Sequence, residues 1–276
     1  MFRKRADGPG QVFWPFIIGA AAICAALGAI CHWSFWMFAA MLACWTATLA
    51  VAWLLFVWAL SLTVDLSKPV TEDHPICRRI VVRVIGLLCW AGRLRIHVKG
   101  WENLPAGRFL LVGNHRSSYD PIATVWALSR RKVDMAFITK PENMKLPLVR
   151  YIHMANYLVI DREDPRKAVG TINAAADLLA RDVVNMGVYP EGTRSKGVGM
   201  LEFHNAVFKI AKKADVPIVT AAVTGTEKIH ENFPWRHTDV TLDLCATIDR
   251  EEVAASTTKQ LGERVRALLQ AAMGDS

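Results

Sequence analysis

The sequence predicts an α/β domain, a mostly parallel or mixed sheet covered by helices, preceded by an N-terminal membrane helical hairpin. Three observations carry this reading. From Gly8 to Val64 there is no Asp, Glu, Lys or Arg. The stretch DLSKPVTEDHP, Asp65 to Pro75, is abruptly polar and marks a boundary. From Leu94 onward, short β-rich runs alternate with segments of helical spacing, the pattern of strands covered by crossover helices.

The charge-free run comes first. The chain has 276 residues, 53% of them hydrophobic, and ten tryptophans, which is more apolar material than one core requires. A membrane-spanning helix needs about 20 apolar residues. The run therefore holds two spans, Val12 to Cys31 and Phe35 to Leu62, turning near HWS. Basic residues stand before it (Arg3, Lys4, Arg5) and after it (Lys68, Arg78, Arg79, Arg83). The positive-inside rule then places both flanks, and everything downstream, on the cytoplasmic side of the inner (cytoplasmic) membrane. A re-entrant hairpin that dips into one leaflet satisfies the same rule. A cleaved signal peptide, which MFRKR would suit, conflicts with the second apolar segment that follows without a polar start. The expected division is residues 1–64 as the hairpin, 65–93 as linker and basic helix, and 94–276 as the α/β domain.

Next, ICRRIVVRVIGLLCWAGRL reads as a helix with Arg78, Arg79 and Arg83 within about 140° of arc. Two readings stand side by side: a helix lying in a lipid interface, or a core-packing helix with a solvated basic edge. Beyond it the strand candidates are LRIHV, RFLLVG, MAFIT, NYLVI, MGVYP, VPIVTAAV and VTLDLCATI. PIATVWALSR, PRKAVGTINAAADLLARD and HNAVFKIAKKAD have helical spacing between them, and STTKQLGERVRALLQAAM closes the chain. The six cysteines form no C-x-x-C pair and read as small buried residues of a reducing compartment. The net charge of +8 does not point to nucleic acid, because the basic residues do not alternate with stacking aromatics. Anionic lipid or a phosphorylated substrate accounts for it better.

Two stretches carry chemistry. In GNHRSSYD, His115 and Asp120 are five positions apart, and on a continuous helix they would point about 140° away from each other. RFLLVG before them is a strand. Asp120–Pro121 after them either N-caps PIATVWALSR, or closes a capping box begun by Ser117. Either way His115 lies in a strand-to-helix loop, where a bend lets the carboxylate reach the imidazole. Asp120 then fixes the tautomer, and His115 is left as a candidate general base. A surface histidine beside a helix cap is the blander reading of the same residues. The second stretch, VYPEGTRSKG, ends a strand in acid, glycine, threonine and arginine, a loop that can bring N–H groups, a hydroxyl and a guanidinium to a phosphate. A plain glycine turn with a solvated arginine is its alternative.

Taken together and in this order, the two stretches resemble the signatures of the glycerolipid acyltransferase family. NHRSSYD matches its N-H-x-S-x-x-D block. YPEGTRS is similar to its F-P-E-G-T-R-S block, with Tyr189 in place of Phe. NYLVIDR is similar to the block that ends I-D-R, FITKPEN to the K-x-E approach with Lys140 and Glu142, and ADVPIVTAAVTG to the V-P-I-V-P-V block around Pro217. The resemblance runs from about Val98 to Gly225. Thr220 stands where a second proline is usual, and His204, Asn205 and Ala206 where lysine-glycine is usual. The resemblance implies transfer of a fatty acyl group from acyl-CoA or acyl carrier protein to the free sn-2 hydroxyl of lysophosphatidate, giving phosphatidate. It implies His115 as base, Asp120 as its orienter, and Arg162, Glu191, Gly192, Thr193 and Arg194 as holders of the acceptor, with Lys140 a weaker phosphate ligand. No metal or prosthetic group is expected; the partners are lysophospholipid, acyl donor and membrane lipid. Other acceptors, such as a lyso-ornithine lipid or a glycolipid, stand as alternatives. So does a lipid-binding scaffold without catalysis, although both dyad residues are present. A serine hydrolase lacks its G-x-S-x-G elbow.

Overall fold

A computed structural model describes residues 18–19, 21–23, 25–26, 35–64, 70–142, 150–161, 164–195 and 199–274. Contacts divide the chain into two compact units, Met1–Asp65 and Leu66–Ser276. In the first unit, α1 (Phe35–Leu62) is a single helix of 28 residues with no charged side chain. At 1.5 Å per residue it is about 42 Å long, enough to cross a hydrocarbon core of about 30 Å. Within it, Phe35–Ala59 is long and apolar enough to be a membrane span. Of the other expected span, Val12 to Cys31, the described residues 18, 19, 21, 22, 23, 25 and 26 are helical; the rest, and the turn near HWS, lie outside the described residues.

The second unit opens with α2 (Pro75–Ala91), whose first turn carries Pro75 where a missing N–H costs nothing. It buries Val81, Ile85, Gly86 and Cys89, and packs on α3 (Asp120–Ser129). Gly86 permits this approach, because a Cβ there would stand 2.5 Å from the Trp126 ring. Burial pushes the Cys89 thiol up to about 12, so it stays protonated and inert. The three arginines do not share one solvated edge. Arg78 is buried and donates to Asp73 Oδ1 (2.6 Å) and Asn156 Oδ1 (2.9 Å), whereas Arg79 and Arg83 are exposed. The core-packing reading holds for one face of α2; the other carries exposed Ile76, Leu87, Leu88 and Trp90.

The sheet has seven strands: β1 (Leu94–Lys99), β2 (Leu110–Gly113), β3 (Met135–Thr139), β4 (Leu158–Val159), β5 (Asn185–Val188), β6 (Ile218–Thr224) and β7 (Thr238–Ile248), in the order β1-β7-β6-β2-β5-β3-β4. β6, β2, β5, β3 and β4 are mutually parallel; β7 is antiparallel to β6, and β1 is parallel to β7. Leu110, Leu111 and Val112 of β2 are fully buried, as are Met186 and Val188 of β5, as expected for central strands covered on both faces. Each such side chain contributes about 1.5–3 kcal/mol over the exposed state.

Crossover handedness assigns the helices to faces. The chain moves one way along the sheet from β2 to β3 and from β3 to β4, through α3 and α4 (Arg150–Met154). It moves back from β4 to β5 through α5 (Pro165–Ala180), and from β5 to β6 through α6 (Lys209–Ala214). Right-handed crossovers in opposite directions place α3 and α4 on one face and α5 and α6 on the other. Packing agrees: α2 touches α3 and α4, and α5 touches α6. The short α7 (Ile229–Asn232) and α8 (Arg250–Ala255) flank β7, and α9 (Thr258–Gly274) closes the chain against β6 and β7. HNAVFKIAKKAD is less regular than its spacing suggests: Asn205–Phe208 is a 3-10 turn before α6. Thr220, where the second proline is absent, lies inside β6; its hydroxyl donates to Ala246 O (3.0 Å) beside the bulge that interrupts the β6–β7 register.

Candidate active site

Parallel pairing brings the two distant motifs together. β2 and β5 are neighbours with Val112 opposite Val188, so the loops that follow them leave the same edge of the sheet. β6 lies on the other side of β2, with Gly113 opposite Ala221, and ends at that edge too. Ligand sites of open α/β sheets form where strands end in this way.

His115 lies in the loop between β2 and α3, with its side chain 19% exposed. Its Nδ1 is 3.0 Å from Asp120 Oδ2. Asp120 is wholly buried, and the same oxygen accepts the N–H groups of Arg116 (2.8 Å) and Ser117 (2.8 Å), while Oδ1 accepts the Thr226 hydroxyl (2.5 Å). Burial of a carboxylate is costly without such donors. A carboxylate offers only acceptors, so the shared proton belongs on Nδ1, and Nε2 is the imidazole's basic nitrogen. The helix begins at Asp120 itself with Pro121 next, and the carboxylate points backwards into its own loop. That is the returning half of the capping box. The forward half is displaced by one residue, since Ser117 Oγ accepts from Tyr119 N (3.2 Å).

The loop is braced from three sides. Asn114, buried at the end of β2, gives its amide to Val223 O (2.9 Å) and accepts Val223 N–H (2.7 Å), continuing the ladder to β6 with a side chain. Glu191, 2% exposed, accepts His115 N–H on Oε1 (2.8 Å) and Leu201 N–H on Oε2 (2.8 Å). Ser195 N–H donates to His115 O (2.8 Å). Beneath the imidazole, Tyr189 stacks at 4.4 Å between centroids and 9° between planes. Gly113 leaves room for that ring: a Cβ there would be 3.3 Å from Tyr189 Cε1 and 2.9 Å from Ala221 O. Burial raises the Tyr189 phenol well above its ordinary range, and the ring stays neutral. Its hydroxyl has Thr124 beside it but makes no well-formed hydrogen bond, and the Thr124 hydroxyl donates to Asp120 O (2.8 Å).

The residues read as substrate holders differ in setting. Gly192 is buried with φ +70°, a left-handed turn suited to glycine, and its N–H donates to Tyr189 O (3.0 Å). Thr193 and Arg194 are exposed, and Arg194 Nη1 reaches across to Ser118 Oγ (3.1 Å) on the His115 loop. Glu191 differs in kind: both its oxygens face backbone donors, so it ties loops together. Lys140 is exposed at the end of β3, on the same edge but one strand further out. Arg162 lies outside the described residues. Sequence reasoning missed Thr226, Asn114 and the stacking of Tyr189, because each depends on which strands become neighbours.

A family model described as Acyltransferase matches residues 95–224. The chain is 27% identical over 163 residues to a probable 1-acyl-sn-glycerol-3-phosphate acyltransferase of Mycoplasma pneumoniae, covering 58% of this chain and 61% of that one. It is 30% identical over 151 residues to a 1-acyl-sn-glycerol-3-phosphate acyltransferase of Cocos nucifera, covering 54% and 46%. These matches span less than two thirds of either relative's length. The crystal structure of the 1-acyl-sn-glycerophosphate acyltransferase of Thermotoga maritima superposes with a TM-score of 0.57 at 26% identity, covering 80% of this chain and 86% of that one.

Proposed function

Because the chain belongs to the glycerolipid acyltransferase family, we propose that it moves a fatty acyl group from acyl-CoA or acyl carrier protein to the free sn-2 hydroxyl of lysophosphatidate, giving phosphatidate. His115 Nε2 takes the proton of the acceptor hydroxyl as that oxygen attacks the thioester carbonyl. The C–O bond forms, the C–S bond breaks, and the imidazolium returns its proton to the departing thiolate. No acyl-enzyme intervenes, and no metal or prosthetic group is part of the scheme. Asp120 stabilises the imidazolium and holds the ring. The 3.0 Å contact between His115 and a buried, fully hydrogen-bonded Asp120 is the observation that carries this reading.

Arg194, Thr193 and the Gly192 turn, with Arg162 and Lys140, are assigned to the acceptor's phosphate and glycerol, since guanidinium groups clamp phosphate through paired charge-assisted bonds. Glu191 is assigned to positioning. The apolar segment that includes α1 keeps the enzyme at the cytoplasmic membrane, with the α/β domain on the cytoplasmic side, where acceptor and product reside. The purified full chain, given a panel of lysolipids with acyl-CoA or acyl carrier protein and analysed by mass, should make phosphatidate from lysophosphatidate. Acylation of a different lysolipid alone would replace the acceptor, and a folded protein inert toward the whole panel would overturn the reading.

A further inference from the structure

At the active-site edge of the sheet, large apolar side chains, three of them aromatic, are exposed beside arginines. Trp235 is 86% exposed, Trp90 76%, Phe233 54% and Leu87 52%. They come from two segments distant in sequence, the end of α2 and the loop between α7 and β7. The sheet joins them: β1 starts beside β7, with Leu94 opposite Thr238. Just before that pair, Arg93 Nη2 is 3.1 Å from His237 Nε2, and Thr238 N–H donates to Arg93 O (3.2 Å). Trp90 and Trp235 thus flank one hydrogen-bonded junction. Arg93 and Arg236 are both exposed there, and within residues 229–237 the one acid is Glu231.

The orientation of this patch follows from strand direction. β6 and β7 are antiparallel with Thr224 opposite Thr241, so β7 begins at the edge where β2, β5 and β6 end. That edge carries His115. The link is also direct, because the His230 ring of α7 meets Tyr119 of the His115 loop edge-on at 6.3 Å.

Exposed aromatic clusters of this kind mark interaction surfaces on soluble domains. Tryptophan prefers the headgroup level of a bilayer, and arginine beside it is attracted to anionic lipid. We propose that Leu87, Trp90, Phe233 and Trp235, with Arg93 and Arg236, form a surface of the α/β domain that docks on anionic lipid headgroups and turns the His115 edge toward the bilayer. This deepens the acyltransferase reading by giving the catalytic domain its own lipid contact, separate from the apolar N-terminal segment.

The test uses the full chain in vesicles of phosphatidylcholine with phosphatidylglycerol, carrying a fluorescent amino acid in place of Trp235 or, as control, of Arg250. Arg250 follows the end of β7, at the opposite edge of the sheet. Spin-labelled lipids should quench the probe at 235 and leave that at 250 bright. The pair Arg93→Glu and Arg236→Glu should weaken the quenching at 235. It should also raise the apparent KM for acceptor in anionic vesicles by about fivefold or more per arginine, without changing it for acceptor in micelles. A probe at 235 that is no more quenched than that at 250 would overturn the proposal. So would one buried by concentration-dependent self-association without lipid, which would give the surface to a second copy. Quenching is read without turnover, so an inert protein that docks, or an active one that does not, separates this proposal from the acyltransferase reading.

Discussion

Asp120, where the connection after β2 enters α3, and Arg194, on the loop after β5, follow neighbouring parallel strands, yet one is wholly buried with both oxygens satisfied by four donors, while the other is exposed and makes one hydrogen bond to Ser118. The side that carries the proposed base is built before any substrate arrives. Backbone N–H groups, a threonine hydroxyl and the Glu191 brace fix the imidazole, so no reorganisation is needed at the moment of proton transfer. The Arg194 side, proposed for the acceptor's phosphate, is open and has its guanidinium to give. Damage on the first side should therefore appear in kcat, and damage on the second in KM for the acceptor.

The largest effect belongs to the base itself. His115→Ala should lower kcat by roughly a hundredfold to ten-thousandfold while the circular dichroism spectrum and Tm stay close to wild type, because a partly exposed loop imidazole adds little to the core. Activity retained within a factor of a few would remove His115 from the reaction.

Arg194→Ala comes next. Loss of a charge-assisted pair costs about 1.5–3 kcal/mol, or roughly 10- to 150-fold in apparent acceptor KM, with donor KM much less affected. Lysine should restore little, because a point charge lacks the planar fork. Equal changes in both KM values would erase the distinction between the two sides.

Glu191→Gln probes the brace. Glutamine places an amide nitrogen opposite one of two backbone N–H donors, leaving a buried donor without an acceptor at a cost of about 1–3 kcal/mol in stability. Urea unfolding should show that loss, together with a lower kcat and an acceptor KM within about twofold of wild type, in keeping with a tie between loops. A large rise in KM at unchanged stability would return Glu191 to the substrate-holding set.

The smallest effect is expected at Tyr189. Phenylalanine keeps the stacked ring and removes a hydroxyl that is buried without a well-formed bond, so stability should be unchanged or higher by up to about 1 kcal/mol. The phenol is raised by burial, so its contribution is intact below the unfolded value near 10 and is lost as pH climbs through the raised folded value. Tyr189→Phe should accordingly lessen destabilisation at alkaline pH. Identical alkaline limbs for the two proteins would show that the phenol does not titrate with unfolding.

How much of this was legible in the residues depends on the range of the interactions. Strand candidates and their crossovers were readable from local pattern, and the bend at NHRSSYD followed from helix geometry once His115 and Asp120 are read as a pair, since residues five apart on a helix do not face each other. Which acceptor Asp120 presents to Thr226 was not readable, because that contact exists only once β6 pairs with β2. Arg78 was placed with the solvated arginines by its helical angle, whereas Asp73 and Asn156 draw it inward. Glu191 belongs to the same class. The resemblance implied a substrate holder, while its backbone partners, Leu201 N–H on its own loop and His115 N–H on a loop that the parallel β2–β5 pairing brings within reach, were not readable.

In the proposed dyad Asp120 acts on the imidazole through charge as well as through shape, and Asp120→Asn separates the two. An amide oxygen at the Oδ2 position can still accept from His115, Arg116 and Ser117, and the amide nitrogen can donate to Thr226 Oγ1, whose hydroxyl reverses its role. The loop should therefore keep its form while the imidazolium loses its counter-charge. The decisive measurement is kcat alongside Tm for this single variant. A fall of a hundredfold or more, on the order of what loss of an orienting carboxylate produces in a triad, with Tm within a few degrees of wild type, is the predicted result. Full activity, or activity lost only in step with unfolding, would make Asp120 a structural residue and contradict the dyad.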